Sequence, residues 1–128
     1  MTNGTTRLTE VKMKANELRI GNWIMIDPHN SPQQVCDVMC DCVNTENVQG
    51  AHYGLVDAIP LTEEWLFNFG FKYRAIGTEF VGHNMILHNW ILDRGYVLWG
   101  VVKLKHVHQL QNLYFALNGE ELKMESEK

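Results

Sequence analysis

Three cysteines, Cys36, Cys40 and Cys42, crowd one short stretch of the chain. Cysteine thiolates bind zinc, and a structural site needs four ligands around the ion. His29 or His52 would complete such a set. The usual signature is a pair of C-x-x-C knuckles, and Cys36-x-x-x-Cys40-x-Cys42 matches neither half of it. The plainer reading packs Cys36 in a strand and leaves Cys40 and Cys42 as small residues beside a loop. His83 and His88 lie five apart around an apolar strand, and a metal there would need Glu79, Asp93 or a third imidazole. Turn and edge histidines are the alternative. His106 and His108 are two apart at a helix start, a spacing that points side chains away from each other. One of them is expected to cap the helix or lie against a sheet. No metal and no cofactor is expected.

Catalysis finds little support. The chain has no glycine-rich phosphate loop, no G-x-S-x-G, no H-E-x-x-H and no acidic metal cluster. A Cys–His nucleophile need not be adjacent in sequence, but three cysteines and six histidines single out no pairing. The expectation is a protein that is not an enzyme.

Of 128 residues, 45% are hydrophobic and 20% charged, enough apolar material for a core without disulfides. The length favours one domain, or two very small lobes. The formal net charge is -4. A protein that lives on phosphate backbones needs a basic face; a local patch around Arg94, Lys103 and Lys105 is the one candidate. No apolar run approaches the roughly 18 residues of a membrane span, and the polar N-terminus lacks a signal-peptide core. The odd, clustered cysteines suit a reducing compartment, so a cytoplasmic location is expected.

The elements that would position these residues can be read in part. Residues 1–12 are polar and aperiodic and read as a flexible leader; Met13 opens MKANELRIGN and reads as an alternative start. Gly21-Asn22 is a turn before the strand-like Trp23–Ile26 run. Pro28 to Pro32 is a loop, Gln33 to Met39 alternates as a strand, Thr45 to Gly50 is turn-rich, and His52 to Ile59 reads as a further strand. Together they suggest a small β-meander or barrel. Pro60 to Phe71 is a short helix: Thr62 caps it, Glu63 and Glu64 favour its positive end, Trp65, Leu66 and Phe69 form its apolar face, and Gly70 stops it. Strands follow over Phe71–Ala75, Glu79–Val81, Met85–Leu92 and Tyr96–Leu104, with Asp93-Arg94-Gly95 as a hairpin loop. Trp90 and Trp99 would face each other across it. Lys105 to Leu122 is the most periodic stretch. Val107, Leu110, Leu113, Tyr114 and Leu117 share one helical face, and Asn118-Gly119 ends it. The fold class is α+β: a small N-terminal β-meander or barrel, a short helix, and an antiparallel sheet with a packed C-terminal helix. A single domain spans 13–122, and 123–128 is a charged tail.

Three segments, MKANELRIGN, IPLTEEWLFNFGF and VHQLQNLYFALNGEEL, resemble a family of small uncharacterised Bacteroidetes proteins often found in prophages and other mobile elements. The last is the most specific. The resemblance covers the start, middle and end of the chain. It implies a bacterial or phage origin and an accessory role, and it carries no catalytic residue. Absent catalytic motifs, an acidic balance and this setting suggest a non-enzymatic protein-binding module. One version is an inhibitor of a bacterial defence protein or nuclease, such as a CRISPR effector. Candidate contacts are the carboxylates Asp37, Asp41, Glu63, Glu64, Glu120 and Glu121, with Trp23, Trp90 and Trp99 as an aromatic patch. A tryptophan-rich core is the alternative for the aromatics. The runner-up function is a nucleic-acid-binding or regulatory small-barrel domain, centred on Trp23 or on Arg94, Lys103 and Lys105.

Overall fold

A computed structural model describes residues 13–28, 31–74, 79–83, 85–90, 95–98 and 102–124. The fold is α+β, with two five-stranded antiparallel sheets. The chain divides into two compact units, Met1–Ile59 and Pro60–Lys128.

In the first unit, β1 (Trp23–Ile26), β2 (Gln33–Val38), β3 (Cys42–Thr45), β4 (Ala51–His52) and β5 (Val56–Ala58) lie in the order β4-β3-β2-β1-β5. Alternation decides the buried face. Ile24 and Ile26 of β1 point inward with Val35 of β2 and Val43 of β3, and Met13, Leu18, Ala51 and Val56 complete this core. The segment 51–58, expected as one strand, is two. A 3-10 turn at Tyr53–Leu55 separates them without reversing the chain: β4 pairs antiparallel with β3, and β5 crosses to the other edge to pair antiparallel with β1. The sheet stays open, and no closed barrel forms among the described residues.

In the second unit, β6 (Lys72–Arg74), β7 (Glu79–Gly82), β8 (Met85–Trp90), β9 (Gly95–Leu98) and β10 (Val102–Leu104) form a meander in sequence order. The stretch 96–104, expected as one strand, is divided between β9 and β10, which pair antiparallel. Trp90 pairs with Gly95, so the expected Trp90–Trp99 pairing is not the register, and Trp99 lies outside the described residues. The short helix α1 (Glu63–Asn68) has the expected ends: the Thr62 hydroxyl accepts from the Trp65 amide at 3.4 Å, and Leu66 and Phe69 are fully buried.

Helix α2 (Val107–Asn118) also ends as expected. Gly119 is left-handed at φ 73 and its amide reaches Phe115 O at 2.7 Å. Its buried face differs from the periodic one. Val107, His108, Leu110 and Gln111 are buried, whereas Leu113 and Tyr114 are half-buried and Leu117 is 49% exposed. The helix buries its first half and leaves residues 115–118 exposed, so a stripe along its whole length is not used.

Candidate functional site

The described residues hold no group of three or more His, Cys, Asp or Glu side chains placed to bind a metal. Cys36 and Cys40 are exposed and Cys42 half-buried, so Cys36 is not packed inside its strand. Gln33, Gln34, Val35 and Cys36 alternate inward and outward along β2, so Cys36 falls on the outer side, beside a bulge between Val35 and Asp37. Cys42 Sγ lies 3.8 Å from Met39 Sδ. Burial, and then the adjacent Asp41 carboxylate, push the Cys42 thiol up. That direction disfavours the thiolate which a nucleophile or a zinc ligand requires. His29 lies outside the described residues.

His52 is exposed on β4, while His83, His88, His106 and His108 have structural partners. His83 takes a left-handed turn (φ 52), places Nε2 2.7 Å from Phe69 O, and stacks edge-on with Phe71 and Tyr114. Glu79 is shared by Arg74 and, at 3.6 Å, by His88. His106 is the N-cap of α2, and Gln109 Oε1 accepts from its amide at 3.0 Å in a capping box. The His106 and His108 rings stack 5.9 Å apart, contrary to the expectation from their spacing. The cause is local: His106 is extended (φ -130, ψ 155), so the helical rule for residues two apart does not govern the pair.

One concave feature among the described residues of the first unit is a cleft of about 660 Å3. Its lining comes from three separate segments: Ile20, Gly21 and Trp23; Pro32 to Cys36; and Glu46 with Asn47. Short hydrogen bonds join the first two. Gly21 N donates to Val35 O at 2.8 Å, Val35 N to Asn22 O at 2.8 Å, and Gln34 Nε2 to Gly21 O at 3.0 Å. Gly21, at φ 102, allows the turn that brings them together. The third segment is tied by a buried polar relay. Thr45 Oγ1 donates to Gln33 Oε1 at 2.9 Å and accepts from Val48 N at 3.0 Å. Thr45→Val keeps the shape but strands both partners. We expect a loss of about 2 kcal/mol in a urea titration; an unchanged midpoint would show that the relay contributes nothing.

Of the expected contact residues, Trp23 is half-buried in the cleft wall. In the same unit, Asp37 is half-buried in β2 and Asp41 is exposed in the β2–β3 loop. Glu63 and Glu64 are exposed on the first turn of α1, and Glu120 is exposed beyond α2. Glu121 differs: it is half-buried, with Oε1 shielded from solvent, so it is a poor surface contact. Lys103 and Lys105 are exposed and both are engaged by partners, while Arg94 lies outside the described residues.

The first unit also carries a charge pattern that no single residue displays. Between Arg19 and Lys72 the chain has no lysine or arginine, yet it carries Asp27, Asp37, Asp41, Glu46, Asp57, Glu63 and Glu64. The whole five-stranded sheet of the first unit lies inside this interval. The signal was visible as a gap in the cations rather than as a run of acids. Among the described residues, no helix is long and apolar enough to cross a membrane. Comparison with protein-family models, with curated proteins and with solved structures finds no match to this chain.

Proposed function

We propose that the chain is a non-enzymatic protein-binding module that presents carboxylates to a basic partner. The observation that carries this reading is the cation-free interval from residue 20 to residue 71, which covers a complete sheet. A surface of one sign steers an oppositely charged partner and repels like-charged ones. Nucleic-acid-binding proteins are basic where they hold phosphates, so they are the partner class this surface complements. A mobile-element inhibitor that masks the nucleic-acid channel of a defence nuclease, such as a CRISPR effector, is one concrete form. The same pattern works against direct nucleic-acid binding by the sheet of the first unit, because phosphates would meet carboxylates with no lysine or arginine on its strands.

The test is a tagged pull-down from bacterial lysate with nuclease added. We expect a basic protein retained in fixed ratio and released as salt rises from roughly 0.05 to 0.5 M, where the Debye length falls from about 14 to about 4 Å. Recovery that disappears with nuclease, or a partner indifferent to salt, would overturn the electrostatic reading.

A further inference from the structure

We propose that the cleft of the first unit is the docking site for an extended, lysine- or arginine-bearing peptide segment with apolar anchor side chains. This rests on the protein-binding reading and names its site and ligand chemistry. Ile20 is 60% exposed at the cleft, a large apolar side chain left in water. Trp23 and Pro32 stand with it, and Gln33, Gln34, Glu46 and Asn47 supply polar lining. Apolar contacts beside side-chain amides suit an extended chain, whose side chains need pockets and whose backbone needs hydrogen-bond partners.

Charge decides which peptide. Glu46 is the one charged side chain of the lining, it is exposed, and the surrounding sheet carries carboxylates without a lysine or arginine. A cationic segment gains from this field, whereas an acidic peptide or a phosphate backbone is repelled. The cleft is also built in advance. The Gly21–Val35, Asn22–Val35 and Gln34–Gly21 hydrogen bonds fix two of its three segments to each other, so little ordering remains for a ligand to impose.

The experiment pans a random displayed library against the immobilised full chain. The peptides are about twelve residues long, an extended reach of roughly 40 Å. Ile20→Ser and Glu46→Lys serve as counter-targets; both positions are on the surface, and each variant is first checked for native circular dichroism. Enriched sequences should be cationic and carry one or two large apolar residues or prolines. Synthetic versions should bind the parent about tenfold tighter than either variant, and their amide shifts should map to residues 20–23, 32–36 and 46–47. No enrichment, neutral or acidic winners, indifference to both variants, or tighter binding of a single-stranded DNA oligomer would each overturn the proposal. The pull-down separates this failure from that of the wider reading. A lysate partner held equally by parent, Ile20→Ser and Glu46→Lys leaves the protein-binding module standing and removes the cleft.

Discussion

Phe80→Ala should destabilise the second unit by about 3–5 kcal/mol, a large share of what a small domain has. Phe80 is 1% exposed and sits where three rings converge: Tyr73 at 5.1 Å, Phe67 at 5.6 Å and Tyr96 edge-on at 5.6 Å. Its strand position pairs it with Tyr73 on β6 and Leu87 on β8, so the side chain is central to the sheet as well as to the aromatic group. Truncation removes apolar area and leaves a cavity whose walls are held by sheet hydrogen bonds, so collapse is limited. Phe80→Leu keeps much of the apolar volume but no ring, and should lose only about 1–2 kcal/mol. Amide hydrogen exchange resolves the result by strand. Fast exchange through β7, β8 and β9 in Phe80→Ala is the expected pattern. Equal stability of the alanine variant and the parent would mean that Phe80 is not a packing centre.

The second large effect depends on pH. His108 is 4% exposed, its Nδ1 has no hydrogen-bond partner among the described residues, and burial, then the stacked His106, lower its pKa from 6.5 to about 4. A histidine depressed in the folded state binds protons more readily when unfolded. Its contribution is therefore complete above pH 6.5 and is lost as pH falls from there towards 4. A shift of this size corresponds to about 3 kcal/mol across that window. Below pH 4 both states are protonated and the loss stops growing. His108→Leu removes the buried nitrogen and the titration together. Carboxylates also titrate at the acid end, so the informative quantity is the stability difference between variant and parent. That difference should rise in favour of leucine between pH 6.5 and 4 and be flat above pH 7. A constant difference across the range would remove His108 as the source.

The ends of helices were legible in the sequence because they are written within four residues. Thr62 with Glu63 and Glu64 marks the start of α1, and Asn118-Gly119 marks the end of α2, and both stand in the structure. The strands β1, β2, β6, β7 and β8 were legible for the same reason, and so was the α+β class, whereas β3 (Cys42–Thr45), expected as loop, was not. The aromatic pairing of Trp90 was not, because register depends on a partner strand, and Gly95 holds that place.

What only the tertiary structure decided is which segments meet. The stretch 51–58 has one strand-like composition, yet a 3-10 turn sends its two ends to opposite edges of the sheet. The face of α2 follows what it packs against rather than its period: His108 and Gln111 are inside while Leu117 is out. His106 and His108 stack because the first is a cap and not a helical residue. The cleft, too, is a tertiary object. Residues near 20, 33 and 46 share no local signal, and the hydrogen bonds of Gly21, Gln33 and Thr45 gather them. By itself the sequence determined the caps, the class and the cation-free interval, since those are local or compositional. Pairing and burial need contacts between distant residues, and a side chain's neighbours across a sheet are set by register and crossing, which composition does not encode.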